Sequence, residues 1–150
     1  MKFFFVLVIV VIGFVSCTPK ENSHIQNSQS MEPTIAAGDL VTWVESRNAT
    51  TIERGDLVIM NSPISKGQLW VRRVIGLSGE EIEFQNGNFE IDGKKVQLIS
   101  LDESSELFLE KQKIPKNSVF VLGDNHKVAR DSRHIGCVQI GDIVGKVTKY

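Results

Sequence analysis

From Leu40 onward the apolar residues come in short runs cut off by turn formers, and no other feature constrains the fold as much. The runs are 40–44 (LVTWV), 57–60 (LVIM), 69–77 (LWVRRVIGL), 81–85 (EIEFQ), 88–92 (NFEID), 118–123 (SVFVLG) and 137–150 (CVQIGDIVGKVTKY). Valine, isoleucine, phenylalanine and tryptophan dominate them, and several alternate apolar with polar, as half-buried strands do. Asn86-Gly87 separates two of the runs and Asp92-Gly93 follows at once. Such pairs supply the positive φ that tight hairpins need, so this stretch reads as a small β-meander. Residues 103–112 (ESSELFLEKQ) fit either one helical turn or an edge strand. The pattern predicts a mostly β domain, built as two sheets or a coiled barrel.

Composition narrows the function classes. With 41% hydrophobic residues and four prolines the chain is neither collagen-like nor wholly disordered. Its 17 basic and 18 acidic groups form no basic block, so nucleic acid is not an expected partner. Two cysteines make no disulfide framework. His24, His126 and His134 are scattered, with no cysteine or carboxylate at ligand spacing, so neither a metal nor a cofactor is expected. Cys137 reads as a free buried cysteine in an apolar strand, and Trp43 and Trp70 read as core.

The amino terminus is of another kind. Residues 3–15 (FFFVLVIVVIGFV) follow a single basic residue, Lys2. As a helix they reach about 20 Å, short of a hydrocarbon core of roughly 30 Å. They fit the apolar region of an export signal. The run ends Val15-Ser16-Cys17, which resembles the lipobox of bacterial lipoproteins and makes Cys17 the candidate lipidation site; a signal anchor is the alternative. Residues 18–29 are polar and without a period, and read as a solvated tether. The expected layout is a signal peptide or anchor over 1–17, a tether over 18–29 and a β domain over 30–150. The domain is expected on the extracytoplasmic face, periplasmic or outer, of a bacterial membrane, with membrane lipid as a partner.

Four strings carry the chemistry: 28–35 (SQSMEPTI) with Gly38-Asp39; 54–58 (RGDLV); 71–79 (VRRVIGLSG); and Gly123-Asp124-Asn125 with Asp131-Ser132-Arg133 and Gly136. Their order and spacing resemble the signal peptidase I family, membrane-bound serine endopeptidases that remove signal peptides from exported proteins. The resemblance covers residues 28 to about 147, and implies that family's fold of coiled antiparallel sheets with exported preproteins, bound as extended peptides, as partners. It implies Ser30 as nucleophile and Ser28 as an oxyanion-hole hydroxyl. A serine oxygen attacks poorly until its proton is taken, and the oxyanion that follows needs preorganised donors. Arg73, Asp124, Asp131 and Arg133 match the family's structural charges.

The base position departs from the pattern. The family's lysine precedes an arginine; here Arg72-Arg73 stand in that place, so Ser30 and Arg72 occupy the two catalytic positions. A buried lysine can lose its proton near neutral pH, whereas arginine holds its own above about pH 12 and has no acceptor. The serine that would bond the lysine is replaced by Ala129. Two readings follow: an endopeptidase with a substitute base, for which Lys127 and His126 are the candidates, or a catalytically impaired relative that binds extended peptides beside Ser30 or modulates an active signal peptidase.

Overall fold

The computed structural model describes residues 20–46, 51–85, 88–98 and 109–150. The β-branched runs become strands: β1 Glu21–Ile25, β2 Leu40–Glu45, β3 Leu57–Asn61, β4 Leu69–Gly76, β5 Glu81–Gln85, β6 Asn88–Ile91, β7 Lys94–Val96, β8 Leu109–Lys113, β9 Ser118–Leu122, β10 Val138–Gln139 and β11 Ile143–Lys149. One α-helical turn, α1, spans Ser132–Ile135. Two three-residue 3₁₀ turns lie at Gln29–Met31 and Ile140–Asp142. Neighbouring strands pair antiparallel in a seven-stranded sheet, β1-β2-β11-β3-β4-β9-β10, and a four-stranded sheet, β7-β6-β5-β8.

Strand β3 explains why its run is apolar without alternation. Leu57 and Ile59 join one cluster with Met31, Ile35, Val41, Trp43 and Val71. Val58 and Met60 point the other way, into a cluster with Val74, Val119, Val121, Val138 and Ile143. Both faces of the central strands are therefore covered, which selects continuous apolar sequence over the period of two. A third cluster, Ile75, Ile82, Phe84, Phe89, Ile91, Ile114, Phe120 and Leu122, joins the two sheets.

Three elements differ from expectation. The stretch 18–29, expected to be a tether, contains β1, whose five residues pair with β2 from Glu21↔Val44 to Ile25↔Leu40. Its sequence (ENSHI) buries no large apolar side chain, because an edge strand needs little more than backbone hydrogen bonds. The run 137–150 is divided by the 3₁₀ turn at Ile140–Asp142: β10 extends β9 at one edge, while β11 lies between β2 and β3. Helix α1 arises in a string that showed no helical period, where Asp131 caps it and His134 completes a capping box. Residues 109–113 are a strand; Asn86-Gly87 and the rest of 103–112 lie outside the described residues, as do 1–17 with Cys17.

Candidate active site

Ser30 lies within the 3₁₀ turn that follows β1. Met31 and Ile35, both fully buried, anchor that turn in the core. They leave the Ser30 hydroxyl in a site 5% exposed. From the other side the chain leaving β9 presses against it. Asn125 donates its backbone N–H to the Ser30 carbonyl at 3.1 Å. A side chain at Gly123 would put Cβ 2.6 Å from that carbonyl oxygen and 2.3 Å from Ala129 Cβ, so only glycine fits between them.

Three groups bond the Ser30 hydroxyl. Arg72 Nη1 donates to Oγ at 3.0 Å, Gln26 Nε2 donates at 3.3 Å, and Ser28 Oγ lies 3.0 Å away. Arg72 comes from β4 and is 4% exposed. Its Nε and Nη2 both donate to the Arg130 carbonyl, at 3.0 and 2.7 Å, and Nη1 also donates to the Val71 carbonyl at 2.6 Å. Its Cζ sits 4.6 Å from the centroid of the Trp70 ring. Burial pushes this guanidinium down to about 10; Asp131 pulls it up and Arg133 pushes it further down. Even at about 10 it keeps its proton at pH 7 by roughly a thousand to one.

Chemically, this arrangement favours negative charge on Ser30 Oγ but supplies little to take its proton. Arg72 and Gln26 turn N–H groups toward Oγ, and of the three atoms bonded to it only the Ser28 hydroxyl can accept. A nucleophile needs the opposite provision, an acceptor for its proton.

Two buried ion pairs hold the surroundings. Arg73 Nε and Nη2 bond Asp124 at 2.8 and 2.6 Å, and Thr34 donates to the same carboxylate, tying β4 to the residues after Ser30. The bond to Asp124 raises Arg73 above its ordinary range. Arg133 Nε and Nη2 bond Asp131 at 2.7 Å each. Asp131, fully buried, also accepts the Gly123 N–H at 3.0 Å and caps α1. The same carboxylate therefore braces the glycine that presses on Ser30.

A cleft of about 400 Å3 opens at Ser28 and Arg72. Its near wall is His24, Gln26, Asn27 and Ser28; its far wall is Gly67 to Trp70. Burial lowers His24, so it is neutral at pH 7. Trp43 is core, as expected, but Trp70 is half buried in this wall. Cys137 is half buried immediately before β10, and burial raises its thiol. His126 and Lys127 lie in the loop after β9, half buried and exposed respectively. Gln26 and Thr34 escaped the motif reading. Gln26 had one signal: with His24, Ser28 and Ser30 it falls on alternate positions of an extended segment.

Comparison with known proteins agrees with this fold. The family described as signal peptidase, peptidase S26, matches residues 1–150. Signal peptidase I of Bacillus caldolyticus is 33% identical over 141 residues, covering 84% of this chain and 76% of that protein. Signal peptidase IB of Staphylococcus aureus (strain COL) is 30% identical over 161 residues, covering 95% and 81%. The crystal structure of a signal peptidase I from Enterococcus faecalis V583 superposes with a TM-score of 0.53 at 27% identity, over 66% of this chain and 98% of that one.

Proposed function

The chain belongs to the signal peptidase, peptidase S26, family, and from that premise we propose that it receives the signal peptides of exported preproteins in the cleft beside Ser30 and cleaves them poorly at neutral pH. The observation that carries this reading is the 3.0 Å bond from Arg72 Nη1 to Ser30 Oγ. Ser30 stands as nucleophile and Ser28 as oxyanion donor, while Arg72 occupies the base position as a permanent donor. Arg73, Asp124, Asp131 and Arg133 hold the geometry. Residues 1–17 hold the domain at the outer face of the membrane, either as an anchor or through a lipid on Cys17.

Free strand edges support extended binding. β1 is at one edge of its sheet, and β9 pairs with β4 only from Arg73 onward. The edge of Leu69 and Trp70 faces β1 across the cleft. A peptide laid between them bonds to both by strand addition and brings its carbonyl to Ser30.

The pH profile tests the reading. A guanidinium lowered to about 10 still keeps its protons through the working range of pH and stays a donor. Cleavage of a signal-peptide substrate by the full-length protein in detergent, corrected by Ser30→Ala, is expected to be slight at pH 7. It should stay slight up to about pH 9 instead of following the titration of a general base. Fast Ser30-dependent cleavage with a plateau at neutral pH would mean another base, with His126 and Lys127 the first to test.

A further inference from the structure

Arg72 is a buried cation whose hydrogen-bond partners are all uncharged: two backbone carbonyls and a hydroxyl. The neighbouring carboxylates are committed elsewhere, Asp131 to Arg133 and Asp124 to Arg73. Three guanidiniums therefore face two carboxylates, and the surplus positive charge sits at Ser30. An incompletely compensated buried charge is costly, so this site gains most from an anionic ligand. The groups beside it are donor-rich as well. Gln26 Nε2 bonds Ser28 and Ser30 only through long 3.3 Å contacts to their hydroxyls, besides its 2.9 Å bond to the Ser28 carbonyl. Of the two serine hydroxyl hydrogens, one lies in the Ser28–Ser30 bond and the other remains to donate outward. Arg72, Gln26 and Ser28 all line the cleft, so charge and donors meet at its end.

We propose that this end of the cleft binds the free α-carboxylate of a peptide C-terminus, seated at Ser30 and held by Arg72, Gln26 and Ser28. The inference rests on the reading of the cleft as a peptide site and adds the class of ligand it prefers. An internal peptide carbonyl brings no charge to Arg72, whereas a chain end does. The amino-terminal fragment left by preprotein cleavage has such an end, with the preceding residues extended between β1 and the edge of Leu69 and Trp70. The chain is then a receiver of shed signal peptides, made by its own slow cleavage or by an active peptidase nearby.

Fluorescence anisotropy on the full-length protein in detergent micelles decides the matter. The probes are one short peptide with small residues at its end, prepared as free acid, as C-terminal amide, and extended past that end. A fourth probe is an amide whose last residue is aspartate. The free acid should bind about tenfold or more tighter than the amide, the extended form and the aspartyl amide. In Arg72→Gln the acid's advantage over the amide should shrink to about twofold. Gln26→Leu should reduce it by a smaller factor. Equal binding of acid and amide by the wild-type chain overturns the proposal and leaves the cleft reading standing, whether or not the variants fold. An aspartyl amide as tight as the acid overturns the preference for a chain end. Failure of every peptide to bind overturns the cleft reading and the proposal with it.

Discussion

Replacing Arg72 by lysine and Ala129 by serine together is expected to raise Ser30-dependent cleavage of a signal-peptide substrate at pH 7 by about 10²–10⁴-fold, the ordinary worth of a general base. The size follows from the environment of residue 72. Burial pushes the arginine down to about 10. The same burial pushes a lysine down from its ordinary value toward neutrality, so that part of it is the neutral amine at pH 7. A neutral amine is an acceptor for the Ser30 proton, which the guanidinium is not. Lysine lacks the fork that clamps Arg72 on the Arg130 carbonyl, so it needs another group to aim it. Ala129 is buried against Gly123, which itself abuts Ser30, and it precedes the residue whose carbonyl meets Arg72, so a serine hydroxyl there is expected to give that aim. Arg72→Lys alone is therefore expected to gain less than the pair, and Ala129→Ser alone nothing measurable, a non-additive pattern proper to groups acting as a unit. Turnover of the folded double variant no faster than wild type would remove the base position as the cause of slow cleavage.

How far the sequence announced this site depends on which kind of information each residue carries. Strands β2, β3, β4 and β9 were legible because their β-branched runs bury side chains on at least one face, and burial leaves a mark in composition. Strands β1 and β7 left none: ENSHI and Lys94–Val96 are edge strands held largely by backbone bonds, to which side-chain chemistry is indifferent. The division of 137–150 between two parts of the sheet is a matter of topology, which local periodicity does not encode. At the site, Ser28, Ser30, Arg72 and the four structural charges could be named because they sit in strings with a known order, though not which charge pairs with which. That Arg72 would reach the Ser30 hydroxyl from 42 residues away, with its fork clamped on one carbonyl, needed coordinates. Gln26 was hidden for the converse reason. A glutamine in a polar stretch resembles a solvated side chain, and only the turn of the chain after β1 buries it, to 3% exposure, against the two serines.

Asp131→Ala is expected to cost about 3–5 kcal/mol of stability, because it strands a buried cation rather than merely deleting a contact. Asp131 is 0% exposed and accepts from the Arg133 fork at 2.7 and 2.7 Å, from the Arg133 N–H at 3.3 Å and from the Gly123 N–H at 3.0 Å. Alanine leaves all four donors without that acceptor and removes the cap of α1, and each buried donor unmade carries its own desolvation cost. Thermal unfolding of the full-length protein in detergent should show a midpoint lower by on the order of 10 °C. Asp131→Asn is the informative partner: it keeps one side-chain acceptor while removing the charge, so it should fall between wild type and alanine. Arg133→Met, which removes the cation with the pair half-deleted from the other side, leaves a buried carboxylate still bonded to backbone N–H groups and should cost less than Asp131→Ala. A loss below about 1 kcal/mol for Asp131→Ala would place the pair among surface-type salt bridges and detach it from the site. If the larger loss is found, the same carboxylate that fixes the fold also fixes Gly123 against the Ser30 carbonyl. On the reading proposed above, that dependence gives Asp131 a role, since a cleft that receives peptide needs its walls in register whether or not the peptide is cut.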